Sequence, residues 1–406
     1  MQYYNLSDRA MIIGDLRQAT DFRPLRALIL ADAGLTAELA ALTEGDLFAA
    51  RLTQIAAAHG IAMSEAAITR CLQPDPLGLS RFTAAEPAES TWTPPGFLPI
   101  RVDESGFVDW TWFGPQPLTE PFYEGSVRRA LHRPFNRIFR WRTRLDDVAD
   151  AAQQHAALAP DGFIFHMSRC GSTLVSQMLA QNGRNIVVSE AAPIDAAVQT
   201  GHAEVLRAMV RAFGRPRSGR EQRFFIKLDS WHALALPLFA RAFPETPWIF
   251  LYRDPLEVMV SHQREPGAQM VPQLVTPSIY GIDGPNIPGP DYTARVLNRI
   301  CTAAAEALAS SRGLAVNYRD MPDAVERLIL PHFGLIPDAA ERTAMRAACR
   351  FDAKTPITPF VADSAAKQAA ASEKLRALTR RHLADIVRRL DGIAAEQANR
   401  QPATLL

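Results

Sequence analysis

Apolar and polar positions follow three regimes along this chain. From residue 23 to about Leu72, apolar residues recur at helical spacing, as in PLRALILADAGLTAELAALTEGDLFAARLTQIAAAHG, with Gly60 as a stop and Ser64 as the next N-cap. This predicts a small helical N-terminal domain over residues 1–72. From Gln73 to about Pro121 the periodicity gives way to Pro, Gly and Trp, as in TPPGFLPI and WTWFGPQPLTEP, so that 73–150 reads as a Pro/Trp/Arg-rich linker or subdomain. Within it, IRVDESGFVDW alternates like a hairpin turning at Glu104, Ser105 and Gly106. From Gly162 on, short β-rich apolar runs (GFIFHM, NIVVSE, RFFIKL, PWIFLY, GLAVNY) alternate with helices starting near Ser172, Ile194, Trp231, Pro255 and Asp291. Buried strands separated by helices predict an α/β domain over 151–406 built on a three-layer parallel sheet. Its tail, Ser364 to about Ala398, reads as one or two amphipathic helices.

Composition narrows the class without naming it. The chain has 406 residues, enough for two or three domains, and 48% hydrophobic against 21% charged residues supports a real core. A formal net charge of +1 argues against a nucleic-acid coat or a membrane-surface binder. Cys71, Cys170, Cys301 and Cys349 are scattered without metal-ligand spacing, which reads as a reduced, intracellular protein. No secretory signal or run of about 20 apolar residues is seen, so the expectation is a cytoplasmic protein without metal, nucleic-acid or membrane partners. Local charge differs from the net value: arginines stand at 128, 129, 133, 137, 140, 142 and 144. They suit a solvated helix face, the rim of an anion site, or a packing surface, and spacing alone does not choose.

The stretch FIFHMSRCGSTLVSQML, Phe163–Leu179, carries the first chemistry. An apolar strand runs into small polar residues and restarts as a helix, whose unpaired N–H groups and dipole favour a phosphate. It is not the triphosphatase pattern GxxxxGK(S/T), because the cation, Arg169, precedes Gly171 by two residues. It is not a Cys-x5-Arg phosphatase loop either, because the position that needs Arg is Ser176. Cys170 therefore reads as loop packing. A second element, PWIFLYRDPLEVMVSHQ, is a buried strand ending in Arg253, with Asp254 as N-cap, Pro255 in the first turn and Ser261 two helical turns further on.

Together these motifs resemble the sulfotransferases. The order Arg169, Cys170, Gly171, Ser172, Thr173, Leu174 is similar to that family's 5′-phosphosulfate loop, and strand-Arg-Asp-Pro-(x)5-Ser to its 3′-phosphate site at Arg253 and Ser261. The resemblance covers roughly residues 160–350. It implies a P-loop-type three-layer sheet, the sulfotransferase fold, with 3′-phosphoadenosine 5′-phosphosulfate (PAPS) as cosubstrate and no metal. Two departures stand out: Cys170 replaces the usual Ser, and no Arg-Lys-Gly loop is found near the C-terminus. Arg319 or Lys354 are the candidates for that loop's duty. Separately, LTEGDLFAARLTQIAAAHGIAMSEAAITRCL has a cadence similar to Nif11-like leader domains found ahead of some modified bacterial peptides.

Sulfuryl transfer to a hydroxyl, or to an amine, needs a base and help for the leaving phosphate. Three candidates fall near strand ends. Glu190 matches in position the catalytic Glu of tyrosylprotein sulfotransferases, Asp229 falls where the cytosolic enzymes place a His, and His232 is the nearby imidazole; they rank in that order. Lys227 is expected at the sulfuryl or bridging oxygens, Arg169 at the oxygen gaining charge, and His166 in the core. The acceptor, a peptide tyrosine or a small molecule, is expected against two segments. These are REPGAQMVPQLVTPSIYGIDGPNIPGPD, read as a lid, and the Trp-rich stretch before Pro121. Two rival readings are a nucleotide kinase, which would want a Lys after the loop Gly and carboxylates for Mg²⁺, and a non-catalytic nucleotide-binding scaffold.

Overall fold

The computed structural model describes residues 21–72, 96–151, 156–271, 279–282, 287–309 and 312–400. The first part of the expected linker, 73–95, and two stretches of the expected lid, 272–278 and 283–286, lie outside the described residues. The chain divides into two compact units. The first runs to Gln116 and adds Glu124–Ala156 and Arg217–Gly219; the second takes Pro117–Tyr123, Ala157–Pro216 and Arg220–Leu406.

In the first unit, helices span Arg23–Ala31, Ala33–Ala41, Gly45–Ala58 and Glu65–Leu72. Their apolar faces bury Leu25, Ile29, Leu39, Phe48, Leu52, Ile55 and Ile68. The Pro/Trp/Arg-rich segment supplies this same unit with a three-stranded antiparallel sheet, β1 (Phe97–Val102), β2 (Phe107–Trp112) and β3 (Trp141–Arg144), in the order β1-β2-β3. The β1–β2 turn is fixed by Asp103, whose carboxylate accepts from the N–H groups of Ser105 and Phe107. Trp110 is fully buried and donates through Nε1 to Thr143 Oγ1 at 2.9 Å, so this tryptophan belongs to the unit's core and not to an acceptor pocket.

The arginine run is largely structural. Arg133 donates to the Ala40 carbonyl at 2.7 Å and Arg137 to that of Leu72, satisfying carbonyls that the last turns of two helices leave open. Arg142 pairs with Asp103, and Arg26 donates to Ile138 O at 2.9 Å. Arg128 remains on an exposed face, paired i,i+4 with Glu124.

The second unit is built on five parallel strands: β4 (Gly162–His166), β5 (Asn185–Ser189), β6 (Arg223–Lys227), β7 (Trp248–Tyr252) and β8 (Gly313–Asn317), in the order β5-β6-β4-β7-β8. They are the five apolar runs read from the sequence, each shortened by a residue at an end. Side chains alternate across the sheet. Phe163 and Phe165 meet the Phe239 ring at 5.3 and 5.2 Å on one face. On the other, Phe225 meets Phe333 at 5.6 Å, and Gly162 leaves room for that ring, which a Cβ would approach to 2.5 Å. Helices thus cover both faces, as a fully buried parallel sheet requires. The tail forms two helices, Ser364–Ala370 and Glu373–Arg400, the latter packed along the helix Gly289–Leu308 and β8. Among the described residues, no helix is long and apolar enough to cross a membrane.

Candidate active site

Strand order places the cavity. The chain leaves β4 towards β5 on one side and β7 towards β8 on the other, so the C-terminal ends of β4 and β7 part at a topological switch point. There a cavity of about 680 Å³ opens, lined by Ser168–Leu174, Glu190, Asp229, Arg253 and Ser261 among others, all from the second unit.

The turn after β4 has the backbone geometry of a donor nest. Ser168 (φ 80°), Arg169 (φ 51°) and Gly171 (φ 88°) lie in the left-handed region, two of them against the preference of a residue with a Cβ. Left-handed residues within such a turn direct successive backbone N–H groups to one side and make a concave donor nest. Among the described residues the N–H groups of Arg169 to Thr173 have no backbone partner, and Gly171 is the N-cap of the helix Ser172–Ala180. At Gly171 a Cβ would come within 2.7 Å of the Tyr318 ring, so a side chain there would close the turn. Ser172 and Thr173 are buried in the helix's first turn. Cys170 donates its Sγ–H to Leu251 O at 3.2 Å, and burial pushes its thiol up to about 11, which leaves it unreactive. The Arg169 guanidinium is held at the rim by Glu265, donating to its carboxylate at 2.9 Å and its carbonyl at 2.8 Å.

The base of the turn rests on His166. Its Nδ1 accepts from Ser168 N–H at 3.0 Å, so Nε2 carries the proton and faces Leu228 O at 2.8 Å. Burial first, against the pull of Glu190, holds this imidazole below its ordinary range and neutral. The residue is buried, as a core histidine is, yet it also shapes the nest.

Beyond the turn lies a cluster of acids. Lys227, fully buried at the end of β6, donates to Glu190, which itself takes a left-handed φ of 51°. Burial alone would raise the Glu190 carboxyl, but Lys227 and His166 outweigh it and hold the group well below the usual carboxylate range. Asp229, half-buried at the cavity wall, behaves oppositely: burial, then repulsion from Glu190 and Asp195, raises it well above that range. Asp195 is pushed up to about 7, first by burial and then by Glu190, and lies within hydrogen-bonding reach of Asp229. His232 sits behind them. Its Nε2 is 3.0 Å from Asp195 Oδ1 but off the line of a hydrogen bond, and burial lowers it to about 4, so it is a neutral neighbour outside the cavity lining.

At the opposite side, Arg253 ends β7 and Asp254 caps the next helix, accepting from Leu256 and Glu257 N–H. Arg253 is buried, with its guanidinium 4.1 Å from the Tyr318 ring centre. It donates through Nε to Glu257 at 2.6 Å and through Nη2 to Asp363 at 2.7 Å and Ser364 Oγ at 3.1 Å. Ser261 and Lys354 line the same cavity. Arg319 is not brought there: it pairs with Asp391 on the last helix, because β8 ends in a tight turn that directs it outward, and its side chain is 63% exposed. Of the two candidates for the missing loop's duty, only Lys354 reaches the cavity. Sequence reasoning also passed over Asp195, Glu257, Asp363 and Lys367. The Asp363–Lys367 spacing of four was a visible pairing signal, but nothing local placed it beside Arg253. No cluster of three or more His, Cys, Asp or Glu arranged to hold a metal ion occurs among the described residues.

No family model and no curated protein matches the chain. Among solved structures it is similar to a sulfotransferase from Alicyclobacillus acidocaldarius (13% identity, 59% of this chain and 96% of that one, TM-score 0.38). It is also similar to a sulfotransferase from Mycobacterium avium (12%, 58% and 78%, TM-score 0.36). A third is the sulfotransferase domain of the Synechococcus PCC 7002 olefin synthase (18%, 61% and 98%, TM-score 0.34). Identities and TM-scores are low, and the functional reading rests on the cavity.

Proposed function

We propose that this chain is a PAPS-dependent sulfotransferase acting on a hydroxyl of a peptide or small molecule. One observation carries the reading. The left-handed donor nest at Ser168–Gly171 and the Arg253–Ser261 pair, read separately from the sequence as 5′- and 3′-phosphate sites, line a single cavity that also holds carboxylates.

The cosubstrate would supply a sulfuryl group on a phosphate leaving group. Gly171 fits it, since its left-handed φ of 88° shapes the turn that presents the N–H groups and its missing Cβ lets the Tyr318 ring pack against that turn. The N–H groups and hydroxyls of Ser172 and Thr173 would hold the 5′-phosphate, Arg253 and Ser261 the 3′-phosphate. Asp229, rather than Glu190, takes the acceptor's proton. A base needs affinity for that proton near working pH; Asp229 is raised, while Glu190 is spent on Lys227 and His166. Glu190 instead holds Lys227, whose fully buried ammonium lies behind the cavity lining and adds positive potential towards the leaving phosphate.

Calorimetric titration with adenosine 3′,5′-bisphosphate, with ATP alongside, tests this in the wild type and in Arg253→Ala. The expected result is tight bisphosphate binding that is lost in the variant and weak binding of ATP. Preference for ATP with Mg²⁺, or no binding, would return the nest to the kinase or scaffold reading.

A further inference from the structure

The cation that ends β7 already has an anion in front of it. Asp363 places one carboxylate oxygen 2.7 Å from Arg253 Nη2 and the other 2.7 Å from Lys367 Nζ. Both cations are buried, with 6% and 8% of their side chains exposed, whereas Asp363 is 45% exposed and lines the cavity. Asp363 is also the N-cap of the helix Ser364–Ala370, where a carboxylate ordinarily accepts from the helix's first N–H groups. It makes no such bond. Its charge is committed to the two cations instead.

Glu257 is different in kind. It is buried behind Arg253, and Ser364 Oγ donates to it at 3.1 Å, so it is a fixed part of the site. Asp363 closes a strap, 351–363, held mainly by its own turns: Asp352 N–H donates to Thr358 O and Phe360 N–H to Arg350 O. The strap exposes Ile357 (88%), Phe360 (47%) and Val361 (77%). A half-exposed carboxylate on such a strap, bridging two buried cations at the wall of an anion-binding cavity, has the position and the charge of a ligand.

We propose that Asp363 is a built-in stand-in for a phosphate monoester, and that Arg253 and Lys367 together form the two-cation site from which the incoming phosphate displaces it. This rests on reading the cavity as a nucleotide bisphosphate site and adds to that reading a second cation, Lys367, and a competing internal anion. A phosphate dianion satisfies two cations better than one carboxylate does, so exchange is favourable only for a ligand with a phosphate at this end. Asp363 thereby selects against nucleotides that lack it.

The test is calorimetric titration of the full chain with adenosine 3′,5′-bisphosphate and with adenosine 5′-phosphate. The proteins are the wild type, Asp363→Asn and Lys367→Met. With its competitor neutralised, Asp363→Asn is expected to bind the bisphosphate about tenfold more tightly. Lys367→Met is expected to bind it more weakly, and the 5′-phosphate should bind all three proteins alike. Unchanged or weaker bisphosphate binding by Asp363→Asn, or equal shifts for both nucleotides, would overturn the inference alone. Absence of bisphosphate binding in every protein, folded by circular dichroism, would overturn the inference and the nucleotide-site reading together.

Discussion

Three carboxyl groups within one cluster are given different chemistry by their neighbours. Glu190 is held acidic because Lys227 and His166 outweigh its burial, while burial first and then repulsion from Glu190 raise Asp229 and Asp195. For Asp195, raised to about 7 from an unfolded value of about 3.9, the sign follows from linkage. The folded state binds the extra proton, so its contribution to stability is fully present below the unfolded value and is lost as pH rises through 7. The wild type should therefore lose melting temperature between about pH 4 and pH 7, the unfolded and folded values, and level off above. Asp195→Asn, which cannot ionise, should flatten that slope and be the more stable protein at the alkaline end. An unchanged slope would mean that Asp195 is not the titrating group. On activity, Asp229→Asn should lower turnover by about 10²–10⁴-fold while bisphosphate affinity is kept. Glu190→Gln should instead impair both, because it leaves the buried Lys227 without its counter-charge. Sulfate transfer measured beside nucleotide titration separates the two, and a larger turnover loss in Glu190→Gln at unchanged affinity would restore Glu190 as the base. The identities of these residues were legible from their places at strand ends. The environments that distinguish them were not, since those depend on Asp195 and Lys227 arriving from another helix and strand.

At the level of elements, the anion site is a strand, three left-handed residues and a helix start, and its tightest constraint is Gly171. Gly171→Ala would put a Cβ at φ 88° and 2.7 Å from the Tyr318 ring. It should cost roughly 1–3 kcal/mol of stability, and bisphosphate affinity should fall further than stability explains. Retained affinity in this variant would show that the nest is not the phosphate cradle. Parallel strands were readable because burial on both faces makes them continuous apolar runs, as in Phe163–His166 and Trp248–Tyr252. The antiparallel strands β1–β3 were harder. Only the hairpin signalled itself, through alternation around Asp103 and Gly106; β3 is four residues of alternating Trp, Arg and Thr inside an arginine run. That run left three readings open because its work, closing the carbonyl ends of helices some 65 and 93 residues away in sequence, leaves no local pattern. Lys367 escaped for the same reason, in a tail whose helical periodicity was plain and whose contact with Arg253 was not.

For the whole molecule, sheet order turns local motifs into a site. β4 and β7 are adjacent although some eighty residues separate their turns, and the reversal of direction between them brings Gly171 and Arg253 to one cavity. A different order of the same five strands would keep both motifs and lose the site. Among the described residues, the first unit contributes none of the cavity's lining. Its keystone is Asn136, fully buried between β2 and the helix Tyr123–Leu131. Its amide donates to Trp112 O and Ala130 O, both at 2.8 Å, and its oxygen accepts from Trp112 N–H at 3.1 Å. Asn136→Ala would strand the Trp112 N–H and carbonyl in a packed interior, at about 1–3 kcal/mol for each group left unpaired, while Ala130 O keeps the Arg133 N–H. Since no cavity residue belongs to that unit, the substitution should lower the denaturation midpoint while the bisphosphate dissociation constant stays where it is in the wild type. Denaturant unfolding and calorimetric titration of the same preparation check this directly. A loss of affinity in parallel with stability would show that the nucleotide site depends on the first unit for more than its own lining residues.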